Sequence, residues 1–173
     1  MATQFRKATF QDAPEIWELL QYAIQKRKLE GSTQWQDGYP NPDIIARDIK
    51  KGQGFVLQDT LSKKIAGYCA IGINEEPAYD DLVGTWLTTG NFVVFHRAAI
   101  AKDYIGQGYA KVLFRSIENY ALKNDIYSVK ADTNFDNKPM LHLFGKFGYK
   151  YCGEVSFRGT PRRAYEKVLN KGQ

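Results

Sequence analysis

A stretch that reads as a strand, a glycine turn and a helix constrains this chain more than any other feature. The apolar run of β-branched and aromatic residues at 92–100 predicts a strand, and Gly106 and Gly108 open an amphipathic helical pattern after a short polar connection. The first N–H groups of a helix lack intrahelical acceptors and lie at the positive end of the helix dipole. The stretch therefore predicts a site for a phosphate or pyrophosphate group.

The composition limits the class of protein without naming its function. With 173 residues, 43% of them hydrophobic, the chain is expected to form one domain with a substantial core. The longest uncharged stretch, residues 82–95, is broken by glycine, asparagine and threonine, and the N-terminus lacks the apolar segment of a signal peptide. We therefore expect a cytoplasmic protein that does not span a membrane.

The cysteines and the charges exclude further classes. Cys69 and Cys152 lie in apolar, strand-like runs, so we expect reduced core residues rather than a disulfide or a metal site. The net charge of +5 comes from scattered basic residues. That pattern indicates a solvated surface and no nucleic-acid partner.

Hydrophobic periodicity and turn residues predict the element order β-α-α-β-β-β-α-β-α-β-β. The first helix begins near Asp12 and ends at Gly31, and the second begins near Asn41 and ends at Gly52. Residues 74–90 form a long excursion with little regular structure. Early hairpins followed by β-α-β crossovers predict an α/β (α+β) fold, with a mixed, mostly antiparallel central sheet of about seven strands and helices on both faces.

The glycine pair does not match the common phosphate-binding fingerprints. The dinucleotide pattern needs a small residue where this chain has Lys111, and no Gly-Lys-Ser/Thr follows at the spacing of a P-loop. The chain also has no Gly-x-Ser-x-Gly elbow, which argues against a serine hydrolase.

A second motif lies downstream, where Asn137 opens a short helical pattern that ends at Gly148 and Tyr149. Together with Ile100, residues 105–110 (Ile-Gly-Gln-Gly-Tyr-Ala) and the element order, this motif resembles the GNAT superfamily of acetyl-CoA-dependent N-acetyltransferases. The resemblance covers nearly the whole chain. It implies an acyl-CoA N-acyltransferase fold in a single domain, residues 1–173, with acetyl-CoA as co-substrate and no metal.

The resemblance also implies which residues bind the co-substrate. Backbone N–H groups of the glycine loop would hold the pyrophosphate, and the strand before it would pair with the pantetheine arm. The residues assigned to this role are Ala98, Ile100, Ile105, Gly106, Gln107, Gly108, Tyr109, Ala110, Lys111, Asn137 and Phe144.

The chain departs from the family pattern at two positions. Ile105 stands where the family usually has Arg or Gln, so one side-chain contact to the phosphates is missing. Phe144 stands where many members carry a Tyr that protonates the departing thiolate, and a phenyl ring has no proton to donate. The thiolate would then be protonated by water or by a neighbouring Tyr, or it would leave without a general acid.

The acceptor amine must lose a proton before it can attack, and His96 is the candidate base. Strand alternation puts His96 on the same face as Ala98 and Ile100. The alternative is a core histidine bonded to a backbone carbonyl. Acidic residues of the excursion, among them Glu75 and Glu76, are a further alternative because they could act through water.

Large aromatic residues in loops are candidates for acceptor binding. Trp35 and Tyr39 flank Gly38 and precede Pro40, which predicts a shaped loop around a pocket, and Tyr79 is assigned to the same role. Trp86 is expected to cap the core.

The sequence therefore predicts an N-acetyltransferase. It would move an acetyl group from acetyl-CoA to a primary amine of a small molecule or protein N-terminus, by direct attack in a ternary complex. The alternative is a non-catalytic acyl-CoA-binding or regulatory module of the same fold, which the substitutions at Ile105 and Phe144 would suit. Because family members are often dimers, a homodimer is compatible with the resemblance.

Overall fold

A computed structural model describes residues 1–171, and within them the chain forms eight strands and four α-helices. The strands are β1 (Thr3–Lys7), β2 (Gly54–Asp59), β3 (Ile65–Ile73), β4 (Val83–Gly84), β5 (Val93–Ile100), β6 (Ser128–Asn134), β7 (Lys150–Phe157) and β8 (Thr160–Val168). The helices are α1 (Ala13–Leu29), α2 (Pro42–Lys50), α3 (Tyr109–Lys123) and α4 (Lys138–Lys146).

The strands form a mixed sheet that is mostly antiparallel, as predicted. β1 pairs with β2, β2 with β3, β6 with β8, β7 with β8 and β4 with β7, all antiparallel, whereas β5 and β6 run parallel. The sheet has eight strands rather than about seven because β4, inside the predicted excursion, pairs Val83 with Glu154 and Gly84 with Gly153. A two-residue strand is too short to show a period of two in its sequence.

The chain divides into two compact units. The first contains residues 1–71 and 97–116, and the second contains residues 72–96 together with the chain from residue 117 onward. The boundary falls inside β5, so this strand contributes residues to both units.

The first unit packs α1 and α2 onto strands β2 and β3. Ile16, Leu20 and Ile45 from the helices bury against Val56 and Tyr68 from the strands. The helical spacing of apolar residues in α1 accounts for this face, since positions three and four apart lie on one side of a helix.

Capping fixes where α2 begins. Asn41 Oδ1 accepts a hydrogen bond from the Ile44 N–H at 3.0 Å, and Pro42 occupies the first helical turn. The predicted start near Asn41 is confirmed, because this side chain satisfies a donor that the helix itself cannot.

The second unit has its own hydrophobic cluster. Tyr79 of the excursion packs with Val94 of β5, Val155 of β7 and Ala164 of β8. Cys69 in the first unit and Cys152 in the second are both free and buried, as expected for core residues.

Strand β5 is irregular at Arg97, whose φ of 54° lies in the left-handed region. Before this point the register pairs Val93 with Val129 and Val94 with Lys130. A residue with left-handed φ departs from the extended backbone and interrupts the alternation of faces along a strand. The alternation assumed for His96 and the residues after it is therefore broken at Arg97.

None of the helices in residues 1–171 is long and apolar enough to cross a membrane.

The pair formed by Arg6 and Asp12 gives the stability of the first unit a pH dependence. Asp12 accepts hydrogen bonds from Arg6 at 2.8 and 3.0 Å and from the Thr9 N–H at 2.7 Å. The hydrogen bond from Arg6 is the main cause that lowers the pKa of the Asp12 carboxyl below its ordinary value. The unfolded chain therefore binds the proton first as pH falls, so this contribution is present above pH ~4 and lost below it.

We expect Asp12→Asn to flatten the pH dependence of the free energy of unfolding on the acid side, in urea titrations from pH ~2 to ~6. Near the lower end of this pH range, the free energies of unfolding of the wild-type chain and the variant should converge. A constant difference between the two at every pH would contradict the assignment.

Candidate functional site

The glycine loop lies in the first unit, between the end of β5 and the start of α3. Gly106 has a φ of 76° and Gly108 a φ of 86°, both in the left-handed region that favours glycine. A Cβ added at Gly106 would meet nothing within 4 Å, and one at Gly108 would meet only the end of Met1 at 3.5 Å. The loop thus presents its backbone to open space.

The first turn of α3 supplies unpaired donors beside that space. The first hydrogen bond of the helix runs from the Val112 N–H to the Gly108 carbonyl at 3.4 Å. The N–H groups of Tyr109, Ala110 and Lys111 come before this bond, so they have no partner inside the helix. Three such donors at the positive end of a helix of 15 residues would suit an anion, and the binding role of the loop stays a prediction.

Side-chain contacts hold the loop in shape. The Tyr104 hydroxyl is hydrogen-bonded to Asp59 Oδ2 at 3.1 Å and to Ser62 Oγ at 2.9 Å, and its ring lies edge-on to Tyr109. Gln107 Nε2 donates to the Asp103 carbonyl at 2.6 Å. These bonds set the conformation of the loop without any ligand.

The side chains of the predicted co-substrate residues in this unit have different environments. Ile105 is 37% exposed, and Lys111 is exposed on the first turn of α3. Ala98 is buried, while the Ile100 side chain lies so close to β3 that a Cβ at Gly67 would come within 3.1 Å of it. Ala98 and Ile100 could therefore contact a ligand mainly through their backbone.

A groove of about 490 Å³ lies next to the loop. It runs between α1 and the turn that follows β5. Its volume is in the range of small-molecule sites. Its charged lining residues are Glu15, Glu18, Lys64, Lys102 and Asp103.

A buried ion pair holds Arg97, the residue of β5 with left-handed φ. Arg97 donates to Asp48 at 2.9 and 2.7 Å, and the two side chains are 7% and 1% exposed. Asp48 also accepts a hydrogen bond from the Tyr68 hydroxyl at 2.6 Å. Burial, followed by the charge of Asp48, raises the pKa of Tyr68 well above its ordinary value, so this hydroxyl stays protonated.

Tyr39 and Trp35, both predicted to bind the acceptor, contact arginine side chains in the first unit. The Tyr39 hydroxyl accepts a hydrogen bond from Arg97 Nη1, and Tyr39 packs at the edge of the hydrophobic cluster. Trp35 is only 5% exposed and belongs to that cluster, with the Arg27 guanidinium 4.9 Å from its ring. The assignment of both to the acceptor stays a prediction.

His96 lies in the second unit and contacts Glu76 of the excursion. His96 Nε2 is 2.8 Å from Glu76 Oε2, and the side chains are 23% and 13% exposed. The oxygen lies off the direction of a good hydrogen bond from Nε2, so the contact is an ion-pair distance rather than an aligned hydrogen bond. The imidazole is therefore neither fully buried nor bonded to a backbone carbonyl.

Tyr79, the third predicted acceptor residue, is buried in the second unit at 3% exposure. Its hydroxyl donates to Asp132 at 2.7 Å, and its carbonyl accepts from the Trp86 indole N–H at 3.0 Å. Burial and then the charge of Asp132 raise the pKa of Tyr79. Tyr79 is thus a neutral donor to a buried carboxylate.

The second unit contains another pair of buried charges, Lys130 on β6 and Glu166 on β8. The Lys130 ammonium is 4.2 Å from the rings of both Trp86 and Phe92, and Glu166 is fully buried 4.0 Å away. The Thr88 hydroxyl donates to Glu166 at 2.8 Å. Burial lowers the pKa of Lys130, with Glu166 opposing that shift.

Asn137 and Phe144, assigned to the co-substrate, are both 1% exposed. Asn137 caps α4 by accepting from the Met140 N–H at 3.3 Å, and its amide donates to Thr133 at 3.1 Å. Phe144 packs against Tyr165 and Tyr149, with ring centroids 4.8 and 5.6 Å away. Phe144 therefore belongs to an aromatic cluster of the second unit.

Sequence reasoning missed the buried charges, although some left a signal. Asp48 stands three residues after Ile45 and one before Ile49, which puts it on the buried face of α2. Lys130 and Asp132 alternate within a strand, so they share one face. The contact of His96 with Glu76 left no signal, because it joins two segments with no common period.

Within residues 1–171, no cluster of three or more His, Cys, Asp or Glu side chains is arranged to hold a metal ion.

Comparison with known proteins shows which family the chain resembles. The chain matches the profile of the acetyltransferase (GNAT) family over residues 15–149. Among curated proteins, none matches the sequence.

Several solved structures are similar over nearly the whole chain. A GNAT-family acetyltransferase from Streptococcus agalactiae is 32% identical, with a TM-score of 0.89, covering 98% of this chain and 96% of its own. One from Listeria monocytogenes is 20% identical, with a TM-score of 0.76, covering 96% and 95%. The yncA protein from Salmonella typhimurium, determined with its cofactor acetyl-CoA, is 14% identical, with a TM-score of 0.68, covering 99% and 96%. The last two support the fold alone. The family profile and the Streptococcus agalactiae structure together establish that this chain belongs to the GNAT family of acetyltransferases.

Proposed function

We propose that this protein is an N-acetyltransferase that moves an acetyl group from acetyl-CoA to a primary amine. The observation that carries the proposal is the open N-terminus of α3 behind Gly106 and Gly108. Its unpaired N–H groups fit a pyrophosphate, and yncA, with a similar fold, holds acetyl-CoA. The acceptor would be a small molecule or a protein N-terminus, in a ternary complex.

Residues of the glycine loop and of α3 would hold the co-substrate. Gly106, Gln107 and Gly108 would face the pyrophosphate through their backbone, and Lys111 would add a charge nearby. Acetyl-CoA supplies the acetyl group as a thioester. The transfer forms one amide C–N bond and breaks one C–S bond, and a base must take the proton that the amine loses.

His96 would be that base. Its side chain is accessible enough to meet a substrate and has a carboxylate beside it to stabilise the imidazolium. Phe144 has no proton to give, but a thiol pKa of about 8.5 makes the thiolate an adequate leaving group without an acid. Tyr149 packs beside Phe144, and burial raises the pKa of its hydroxyl.

We further propose that residues 1–173 act as one domain in the cytoplasm, without nucleic acid or a membrane as partner. The scattered charges and the two free, buried cysteines support this. Trp35, Tyr39 and Tyr79 remain our proposed acceptor residues.

Calorimetric titration with acetyl-CoA, with and without Gly108→Val, tests the co-substrate. The wild-type protein should bind, and the variant should lose most of its affinity because valine is strained at a φ of 86°. Gly159→Val is the matched control, since Gly159 has a φ of 75° with nothing within 4 Å in the turn between β7 and β8. No binding by the wild-type protein at high micromolar concentration would contradict the proposal, as would normal binding by a folded Gly108→Val variant.

A thiol-release assay over a panel of amines separates an enzyme from the alternative. Release that depends on an amine supports acetyl transfer. Binding of acetyl-CoA without release on any amine would favour a non-catalytic acyl-CoA-binding module, which the phenyl ring at Phe144 would suit.

A further inference from the structure

The contact between Glu76 and His96 links a strand to the excursion that precedes it. His96 is on β5, and Glu76 comes immediately before the short helix Pro77–Asp81. His96 Nε2 and Glu76 Oε2 are 2.8 Å apart, and both side chains are mostly buried. A carboxylate held that close to one ring nitrogen makes the two nitrogens of the imidazole unequal.

The chain around Glu76 is held by bonds that do not involve His96. The Asn74 N–H donates to the Phe92 carbonyl at 3.0 Å, and Asn74 Oδ1 accepts from the Phe92 N–H at 2.9 Å. The Asn74 amide also donates to Asn91 at 2.9 Å. These bonds tie the start of the excursion to the residues just before β5, and the Glu76 carbonyl accepts from the Tyr79 N–H at 3.0 Å. Glu76 therefore stands in a segment that is anchored on both sides.

The ring of His96 is oriented from another direction as well. Phe157 lies edge-on to it, with ring centroids 6.2 Å apart and an angle of 75° between the planes. The imidazole therefore has an aromatic neighbour on one side and a carboxylate at Nε2.

The two ring nitrogens of His96 have different surroundings. Nε2 is the buried one and faces Glu76. Nδ1 makes no hydrogen bond with any residue in the part of the chain that the structure describes, and it is not among the buried atoms. An ionised carboxylate only accepts hydrogen bonds, so it favours a proton on the nitrogen that it faces.

We propose that Glu76 is a positioning residue, which holds neutral His96 with its proton on Nε2 and its lone pair on Nδ1. Nδ1 is then the atom that takes the proton of the acceptor amine, a step that rests on the proposed function. The N–H bond of the ammonium breaks, the proton moves to Nδ1, and the electron pair stays on the amine nitrogen. The imidazolium that forms is stabilised by Glu76 at Nε2.

The tautomer of His96 can be measured without any substrate by long-range ¹H–¹⁵N NMR of the imidazole. The chain has two histidines, and His142 is exposed, so His142→Gln leaves His96 as the single signal. In this background we expect the tautomer protonated on Nε2, and we expect Glu76→Ala to mix the two tautomers. Glu76→Gln keeps an oxygen that can accept and should retain the Nε2 proton. A proton on Nδ1, or the same tautomer ratio in Glu76→Ala, would overturn the proposal.

Kinetics test whether Glu76 acts through His96. We expect Glu76→Ala to lower kcat on the order of 10-fold, with the KM for acetyl-CoA unchanged. The kcat of Glu76→Gln should lie between those of the wild-type protein and Glu76→Ala. In a His96→Gln background, Glu76→Ala should have no further effect, because the two residues act as a unit. Glu154→Ala is the control for loss of one acidic side chain, since Glu154 is exposed on β7.

The outcomes separate this proposal from the proposed function. An equal loss from Glu76→Ala in both backgrounds would overturn the positioning role. If no amine were acetylated, the proposed function would fall, and the NMR measurement would still decide the tautomer that Glu76 imposes.

Discussion

Replacing His96 with glutamine should lower amine-dependent turnover by on the order of 100-fold or more. Glutamine has a similar reach but cannot take up a proton at neutral pH, so the variant loses the base and keeps most of the packing. The affinity for acetyl-CoA should stay the same, because the proposed phosphate site is built from the loop and the first turn of α3. Thiol release measures the first quantity and calorimetric titration the second.

His142→Gln is the matched control for this experiment. It makes the same substitution at an exposed position of α4, where no catalytic role is proposed, and its turnover should equal that of the wild-type protein. Unchanged turnover in His96→Gln would return His96 to the alternative interpretation, a packing residue of β5. A loss of acetyl-CoA affinity in that variant would instead point to a general disturbance of the strand.

The second large effect concerns stability. Asp48→Asn should lower the free energy of unfolding by about 3–5 kcal/mol. The substitution removes a carboxylate that is 1% exposed and leaves the Arg97 guanidinium buried without its counter-charge. It also weakens the acceptor for the Tyr68 hydroxyl. Urea denaturation at 25 °C, monitored by two probes, gives the change directly.

An exposed ion pair provides the comparison. Lys26 and Glu30 are 3.6 Å apart on the last turn of α1, and each side chain is about one-third exposed. Glu30→Gln should therefore change stability by less than about 0.5 kcal/mol. Adding Arg97→Met to Asp48→Asn should recover part of the loss, because the unpaired charge is removed as well. An effect of Asp48→Asn no larger than that of Glu30→Gln would contradict this account.

Arg97 belongs to the buried ion pair and also adjoins His96, the proposed base, in the chain. Arg97 has left-handed φ, which costs energy for a residue other than glycine, and the bonds to Asp48 and Tyr39 hold it there. Its neighbour in the chain is His96. We infer that the buried pair helps to fix the backbone that carries the proposed base.

Several local features could be predicted because they depend only on neighbouring residues. Asn41 and Asn137 both cap helices as side-chain acceptors, and Gly106 and Gly108 both adopt left-handed φ. Each follows from what one residue type can do in one backbone conformation. Hydrophobic periodicity likewise predicts the order of all the helices and strands except β4, and this order is enough to indicate the fold class.

The contacts that side chains make with distant residues could not be predicted from the sequence. Whether Trp35 and Tyr79 are exposed or buried depends on which part of the folded chain covers them, and both are buried. The short strand β4 exists only because β7 supplies a partner for Val83 and Gly84. Neither feature has a pattern of its own, since each depends on residues distant in the chain.

The sequence by itself determined the order of the four α-helices and of seven of the eight strands, the glycine loop at the start of α3 and the motifs that resemble the GNAT family. Local conformation and hydrophobic period carry that information. Only the tertiary structure decided that Glu76 meets His96, that Asp48 pairs with Arg97, and that Phe144 packs among aromatic rings. Burial and charge pairing are set by segments far apart in the chain, so they become visible only when those segments are brought together.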